Sequence, residues 1–214
     1  MNLLGNSLSA LMLAAVWPRF CVACNAEGGL LCKLCSVTRW HEPPTAEADH
    51  VAFFAYANPV VRKLICAWKY DYDESAFECL KEQAQELLPE FKAGMKRLGI
   101  QGIVPLPLSA RRLRERGFNQ SRVIADWLAL ELELPVIELL TRVHRRGHQA
   151  ERSDEQRQAV MTNSPFLLIK TQKLPEVVLL VDDVWTTGAT MIAAKKVIEA
   201  DKKTKVFSFT LAKG

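Results

Sequence analysis

The sequence lacks any apolar run approaching the roughly 18 residues that a membrane-spanning helix needs, so it predicts no membrane span. It also lacks the dinucleotide-binding pattern G-x-G-x-x-G, the phosphate-loop pattern G-x4-G-K-[ST] and the zinc-protease pattern H-E-x-x-H. No internal repeat or low-complexity tract is present. With 49% hydrophobic residues in 214 positions, the chain is long enough for one core of about 150 residues plus a small module.

The net charge of +4 is small, so it allows contact with phosphates or nucleic acid without establishing either. The apolar stretch from Leu8 to Val16 superficially resembles a signal peptide, but no basic segment precedes it. One helical face is shared by Leu4, Leu8, Leu11, Met12 and Ala15, which favours a docked amphipathic helix over a cleaved signal. We therefore expect a cytoplasmic protein.

The cysteine spacing is typical of a metal site rather than a disulfide framework. Four of the six cysteines, Cys21, Cys24, Cys32 and Cys35, follow the pattern C-x2-C-x7-C-x2-C. Two C-x-x-C knuckles can direct four thiolates at one Zn²⁺ ion in tetrahedral geometry. A redox dithiol or an iron–sulfur site is the alternative, although no thioredoxin-like pattern surrounds the pairs. Four thiolates leave no open coordination position on the metal, so we predict a structural zinc ion rather than a catalytic one.

The stretch Val177–Met191, V-V-L-L-V-D-D-V-W-T-T-G-A-T-M, is the most informative part of the chain. The apolar residues Val177–Val181 predict a strand buried on both faces of a parallel sheet. Two aspartates and a T-T-G loop follow, and from Thr190 onward apolar residues recur at helical spacing. An ordinary buried strand followed by a capped helix is the alternative interpretation.

The predicted helix start suits an anion. A first helical turn offers unpaired N–H groups and the positive end of the helix dipole, and Gly188 lets a ligand approach the backbone. Two adjacent carboxylates, Asp182 and Asp183, would repel a phosphate, so we expect them to face sugar hydroxyls, directly or through hydrated Mg²⁺. The stretch therefore predicts a site for a ribose 5-phosphate unit.

A second phosphate-binding candidate follows the predicted strand Gly102–Leu108. Four arginines crowd six positions there: Arg111, Arg112, Arg114 and Arg116. Guanidinium groups bind phosphate oxygens in a bidentate manner, and such a density of positive charge repels itself without anions. We predict pyrophosphate binding by Arg111, Arg112 and Arg116, with an exposed basic helix start as the alternative.

Hydrophobic periodicity predicts the remaining elements. Further strands are expected at His50–Ala57, Leu134–Leu140, Pro165–Ile169 and Val206–Leu211, and amphipathic helices at Pro59–Tyr70 and Ser75–Leu88. The polar, basic segment 141–164 is predicted to form a mobile flap that closes over a ligand, with a plain exposed loop as the alternative. Proline-rich sequence places the boundary between a helix-plus-zinc module, residues 1–45, and the larger domain, residues 46–214.

The stretch V-V-L-L-V-D-D-V-W-T-T-G-A-T resembles the phosphoribosyl pyrophosphate (PRPP) motif of type I phosphoribosyltransferases. The resemblance implies an α/β fold, a type I phosphoribosyltransferase-like parallel sheet flanked by helices. It implies that the acidic pair holds the ribose hydroxyls, that the loop cradles the 5-phosphate, and that Mg²⁺ accompanies PRPP. The implied PRPP-binding residues are Asp182, Asp183, Thr186, Thr187, Gly188, Ala189 and Thr190, with Asp182 and Asp183 also in the catalytic role.

Four features follow one another along the chain: the cysteine pairs, the V-P-L-P-L…R-R-L-R-E-R-G-F-N-Q segment, the basic flap and the PRPP motif. This order looks like that of the ComF family. These are phosphoribosyltransferase-like proteins with an N-terminal zinc ribbon, linked to DNA uptake and the use of external DNA in bacteria. The resemblance implies PRPP or a related ribose phosphate as ligand, and single-stranded DNA or DNA-uptake proteins as partners. The flap departs from the family, because Arg152 stands where leucine is usual and Val160 where asparagine is usual.

Three functional classes stay open at this point. A phosphoribosyltransferase would transfer the ribose phosphate from the anomeric carbon of PRPP to an acceptor that no residue identifies. A non-catalytic nucleic-acid-binding or adaptor protein would keep the fold, and with it a ligand site, and act through its zinc module and arginines. A purely structural zinc-ribbon adaptor would bind no PRPP at all.

Overall fold

The computed structural model describes residues 19–36, 49–143, 164–169, 174–201 and 203–214. The predicted N-terminal helix, the predicted boundary between residues 45 and 46 and the flap residues 144–163 lie outside the described residues. In chain order the elements are α1 (Lys33–Ser36), β1 (His50–Ala55), α2 (Pro59–Tyr70), α3 (Glu74–Ala84), α4 (Leu88–Leu98), β2 (Gly102–Pro105), α5 (Ala110–Arg116), α6 (Gln120–Leu132), β3 (Leu140–Arg142), β4 (Phe166–Leu168), β5 (Val177–Trp185), α7 (Ala189–Ile198), a 3-10 turn (Glu199–Asp201) and β6 (Lys205–Lys213). None of the helices described is long and apolar enough to cross a membrane.

The described residues fall into two compact units. One, the cysteine unit, contains residues 19–36 and 57–85, and the other, the sheet unit, contains the rest. The cysteine unit therefore includes α2 and α3 in addition to the four predicted zinc ligands, a grouping that the sequence pattern did not indicate. The division of the chain at residue 45 stays a prediction.

Side chains of α2 and α3 fix the cysteine segment within its unit. Lys63 donates to the carbonyl of Val22 at 2.8 Å, and Gln83 Nε2 donates to the carbonyl of Ser36 at 2.6 Å. The core of the two helices includes Trp68, whose ring stacks on Phe77 with centroids 4.5 Å apart. The predicted buried face of α2, which also contains Val61, Leu64 and Ile65, is confirmed.

The second predicted amphipathic helix is shorter than expected. It ends at Ala84 rather than at Leu88, and a separate helix, α4, begins there. Pro89 explains the break, because its ring lacks an N–H and would clash with the carbonyl four residues earlier in a continuous helix. The hydrophobic periodicity alone did not reveal this interruption.

A four-stranded parallel sheet forms the centre of the sheet unit, in the order β1-β6-β5-β2. The predicted parallel sheet flanked by helices is thereby confirmed. The strands β3 and β4 form a second, antiparallel sheet. Neither strand pairs with a strand of the four-stranded sheet. The predicted strand Leu134–Leu140 is largely wrong: Val136 makes only an isolated bridge to Ile103, and β3 begins at Leu140.

The two faces of the sheet carry different cores. One face holds aromatic rings in edge-to-face contact, with the Phe53 and Phe209 centroids 4.7 Å apart. These rings come from β1, α4, α6 and β6: Phe53, Phe91, Trp127 and Phe209. The other face packs on α7 and β4, and its buried residues include Leu180, Met191 and Phe166. A site at the carboxyl ends of the strands thus rests on a sheet buried on both sides.

Candidate functional site

The four predicted zinc ligands come together. The Sγ atoms of Cys21, Cys24, Cys32 and Cys35 all lie within 4.8 Å of one another. Tetrahedral zinc with Zn–S bonds of about 2.3 Å places its sulfurs about 3.8 Å apart, and the Cys24 and Cys32 sulfurs are 3.6 Å apart. The geometry and the donor set fit one zinc ion.

Local backbone geometry supports this cluster. The turn after Cys21 closes when Asn25 N–H donates to the Cys21 carbonyl at 2.8 Å, with Asn25 in a left-handed conformation. Burial disfavours the Cys21 thiolate, but N–H groups including those of Cys32 and Cys24 lower the pKa of this thiol to about 6. Hydrogen bonds with the Cys32 and Cys24 thiols raise the pKa of Cys35 to about 12. Without a metal, a negative charge on one thiol disfavours a charge on its neighbours. A bound dication stabilises the thiolate forms together.

The second candidate site lies at the carboxyl end of β5. This strand runs to Trp185, past the predicted end at Val181, because it continues to pair with β6 through Asp182↔Thr210 and Trp185↔Lys213. Both aspartates are therefore strand residues rather than loop residues. Since side chains alternate along a strand, Asp182 and Asp183 point to opposite faces of the sheet.

The two aspartates accordingly have different environments. Asp182 is half-buried, and its Oδ1 accepts hydrogen bonds from Ser121 Oγ at 2.7 Å and from Asp183 N–H at 2.9 Å. Asp183 is 8% exposed. A pocket of about 40 Å³ opens beside Asp182, and Asp183 is not among its lining residues. A role for Asp183 in holding a ribose stays a prediction.

The predicted phosphate loop lines the same pocket. Its lining residues are Asp182, Val184, Trp185, Thr186, Thr187, Gly188, Ala189, Thr190, Met191 and Thr210. All five predicted loop residues are among them. Gly188, at the N-cap of α7, has no side chain that could cap the helix, and Ala189 N–H donates only weakly, at 3.4 Å, to Thr187 Oγ1. The first-turn N–H groups thus face a pocket that suits an anion.

Gly188 is required for this loop conformation. Its φ of +70° is left-handed, and a Cβ at this position would lie 2.3 Å from Trp185 Cζ2. The Trp185 ring also contacts the ring of the buried His50, with centroids 4.2 Å apart. The close approach of Gly188 to Trp185 thus sets the path of the loop.

The arginine-rich segment forms a short helix, α5. Ser109 Oγ accepts from Arg112 N–H at 3.3 Å at its start, and Gly117, with φ of +68°, ends it. The following Asn119 joins two elements: its Oδ1 accepts from Ser121 N–H at 3.2 Å, and its Nδ2 donates to the Leu106 carbonyl at 3.1 Å. Through these two hydrogen bonds, Asn119 links the start of α6 to Leu106. It thereby positions Ser121 next to Asp182.

Replacing Asn119 with alanine is expected to lower both stability and ligand affinity. The change removes a helix cap and a hydrogen bond to Leu106, together worth about 2 kcal/mol, or a melting temperature lower by about 6 °C. It also releases Ser121, which contacts Asp182. Asn58→Ala is the matched control, since Asn58 caps α2 in the cysteine unit. Thermal unfolding and Mg-PRPP titration should show a loss of affinity for Asn119→Ala alone.

The three arginines predicted to bind pyrophosphate have different surroundings. Arg111 has a side chain 77% exposed and pairs with Glu115 at 2.7 Å. Arg116 donates to Oε1 of the fully buried Gln120 at 3.0 Å. The Nε2 of Gln120 is buried without a hydrogen-bond partner among the described residues. Arg112 forms no ion pair with the side chains that the structure describes.

Sequence reasoning missed three residues of this region: Ser121, Arg142 and Thr210. Ser121 directly follows the G-F-N-Q segment, so the hydrogen-bonding preference of a helix start was an available signal. Thr210 lies opposite Asp182 only through strand register, and Arg142 comes close only through tertiary packing. No local pattern marks either of them.

The chain is similar in sequence to three bacterial competence proteins, although no protein-family model matches it. It is 28% identical over 165 residues to competence protein ComFC of Streptococcus pneumoniae, covering 77% of this chain and 68% of that protein. It is 34% identical over 110 residues to ComFC of Bacillus subtilis, covering 51% and 43%. Competence protein F of Haemophilus influenzae matches at 31% over 100 residues, covering 46% and 44%. The chain thus spans less than half the length of two of these relatives.

Among solved structures, adenine phosphoribosyltransferase from Saccharomyces cerevisiae, complexed with an imino-altritol bisphosphate and adenine, aligns at a TM-score of 0.38 and 16% identity. The match covers 62% of this chain and 69% of that one. A second adenine phosphoribosyltransferase aligns at 0.35 and 18% identity, covering 60% and 79%. The three competence proteins, rather than these structures, support the resemblance of this chain to the ComF family.

Proposed function

We propose that this protein binds PRPP or a related ribose phosphate, with Mg²⁺, in the pocket at the carboxyl end of β5. We further propose that this binding serves DNA uptake or utilisation, as the names of its competence relatives suggest. The observation that carries the first part is a single pocket lined by a carboxylate and by a helix N-terminus. A sugar phosphate suits this pair, because its hydroxyls can donate to the carboxylate and its phosphate can accept from the helix N-terminus.

Different residues of the pocket would contact different parts of the ligand. The N–H groups and threonine hydroxyls around Gly188 would donate hydrogen bonds to the 5-phosphate, and the helix dipole favours an anion there. Asp182, oriented by Ser121, would accept the ribose hydroxyls or hold water on Mg²⁺. Mg²⁺ would supply charge neutralisation for the diphosphate of the ligand. Structural zinc would be held by Cys21, Cys24, Cys32 and Cys35.

The two aspartates are expected to respond differently to neutral substitution. Asp182→Asn should weaken Mg-PRPP binding about tenfold or more, because a charged hydrogen-bond partner is lost from the pocket. Asp183→Asn should have the smaller effect, since Asp183 does not line the pocket. Equilibrium titration monitored by tryptophan fluorescence measures both, as Trp185 lines the pocket. Unchanged affinity in Asp182→Asn would place the ligand elsewhere.

Turnover distinguishes an enzyme from a binding protein. A phosphoribosyltransferase would release pyrophosphate from PRPP when the correct acceptor is added, so candidate nitrogen bases and ammonia should be tested with wild type and Asp182→Asn. Pyrophosphate release that depends on Asp182 would establish catalysis. PRPP binding without release for any acceptor would favour the non-catalytic class.

One observation favours nucleic-acid binding as the second candidate function. The end of α2 presents Tyr70 and Tyr72, which are 60% and 54% exposed, next to Lys69 in the cysteine unit. Aromatic rings beside basic side chains suit the stacking of single-stranded bases. Binding of single-stranded DNA should then weaken with salt and with Tyr70→Ala. Affinity insensitive to both changes would count against this function.

A further inference from the structure

His50, at the start of β1, lies between two hydroxyl groups of β6. Its side chain is buried, with Nδ1 3.1 Å from Ser208 Oγ and Nε2 3.2 Å from Thr210 Oγ1. Each hydroxyl also donates to a backbone carbonyl at 3.0 Å, Ser208 to that of Asp49 and Thr210 to that of Ala212. Both ring nitrogens of this buried histidine therefore have a hydrogen-bond partner.

These contacts satisfy the imidazole of His50 with either one proton or two. Because Ser208 donates to the Asp49 carbonyl, its oxygen accepts from Nδ1–H. The Thr210 hydroxyl has a single proton to donate, and two acceptors are within reach. When it donates to Nε2, His50 is neutral; when it donates to the Ala212 carbonyl, its oxygen accepts from Nε2–H and His50 is cationic. The ring can thus take up a proton through the rotation of one hydroxyl.

The same contacts connect His50 to the pocket of the phosphate loop. Thr210 lines that pocket beside Asp182, its register partner on β5. Trp185 lines the pocket too, and the centroid of its ring is 4.2 Å from that of His50. An aromatic ring at this distance favours a cation. A proton on His50 would therefore lie one hydrogen-bonded residue away from an anion in the pocket.

The charged groups around His50 also favour a proton on the ring. A second cavity, of about 350 Å³, opens beside His50 and gives water access to it. This cavity is lined by Asp49 of the same edge and by Lys195 of α7, whose opposite charges pair at 2.8 Å. Asp182 is the charged residue that lines the phosphate-loop pocket among the described residues. The residues that line the two cavities thus carry no excess positive charge that would repel a proton from His50.

We propose that His50 is a positioning residue of the phosphate-loop pocket and that it takes up a proton from water when a phosphate dianion binds there. The cationic ring holds Thr210 through Nε2–H, stays in contact with Trp185 and attracts the anion. This inference rests on the proposed function, because the anion is taken to be the phosphate of a sugar phosphate. Since the complex would hold the proton more tightly than the free protein, affinity should rise as the pH falls through the range in which histidine titrates.

The test compares the wild-type chain with His50→Gln, whose amide is polar but does not titrate. Inorganic phosphate, ribose 5-phosphate and Mg-PRPP are titrated into both proteins at about pH 8 and about pH 6. The ratio of wild-type to variant affinity, which cancels the ionisation of the probe itself, should rise about tenfold towards the lower pH. Calorimetry in two buffers of different ionisation heat should show greater proton uptake by wild type. His50→Asn, which keeps a donor for Ser208, repeats the comparison if the glutamine variant unfolds.

The outcomes separate this inference from the proposed function. If the sugar phosphates bind and proton uptake is the same with and without His50, the inference is wrong while the proposed function stands. An equal loss of affinity in His50→Gln at both pH values would also overturn it, since His50 would then only support the loop. If inorganic phosphate binds with proton uptake that depends on His50 but the sugar phosphates do not bind, the inference stands and the proposed ligand is wrong. If none of the three probes binds, both are wrong.

Discussion

Gly188→Ala is expected to weaken Mg-PRPP binding about 100-fold. The new Cβ would meet Trp185 at 2.3 Å, and the left-handed φ of +70° adds backbone strain. Overpacking costs about 1–3 kcal/mol and the strain about 1–2 kcal/mol, so a total near 3 kcal/mol corresponds to roughly two orders of magnitude in affinity. The loop relieves the clash by moving, and its N–H groups then leave the phosphate position.

Gly99→Ala is a close control for the strain alone. Gly99 has the same φ of +70°, but no atom lies within 4 Å of a Cβ built there. This variant should lose about 1 kcal/mol of stability and keep its affinity for Mg-PRPP. A second comparison, Gly188→Ala combined with Trp185→Ala, removes the clash and should recover part of the binding. Equal affinities in Gly188→Ala and Gly99→Ala would show that the loop around Gly188 does not hold the ligand.

Cys32→Ser is expected to abolish stoichiometric zinc binding and to destabilise the cysteine unit. Cys32 contributes one of four clustered thiols, and its N–H donates to Cys21 Sγ at 3.4 Å. Structural zinc contributes about 10 kcal/mol or more in small zinc-binding peptides, which is comparable to the whole stability of a typical domain. The contacts of Lys63 and Gln83 with the cysteine segment would be lost with its fold.

Cys66→Ser provides the matched control for the zinc prediction. Cys66 is a half-buried cysteine of α2 in the same unit and lies outside the four-sulfur cluster. Elemental analysis should give about one zinc per chain for wild type and Cys66→Ser and almost none for Cys32→Ser. Limited proteolysis should cut residues 19–36 in Cys32→Ser first. Zinc retained by Cys32→Ser, or resistance equal to that of wild type, would contradict a structural zinc site.

Local sequence patterns predicted the parts of the fold that depend on near neighbours. The five apolar residues from Val177 marked the central strand, and the C-x-x-C spacing brought four thiols together because each knuckle is closed by its own backbone. The amphipathic face of α2 followed from helical periodicity in the same way. In each case the determining interactions lie within a few residues.

Features that depend on distant contacts were not accessible from the sequence. The end of β5 is set by pairing with β6, which carries the strand past the aspartates to Trp185. The position of Arg142 over the ring of Phe166, 24 positions along the chain, likewise depends on the pairing of β3 with β4. The density of arginines in α5 predicted pyrophosphate binding, and that role stays a prediction.

Calorimetric titration of the wild-type chain with PRPP, with and without added Mg²⁺, tests the central claim most directly. Magnesium should be omitted rather than chelated, so that zinc stays bound. We predict one site per chain, tighter binding with Mg²⁺ and a weak signal for Gly188→Ala under the same conditions. The absence of a binding heat with Mg-PRPP, confirmed by fluorescence titration, would contradict a PRPP site at the end of β5.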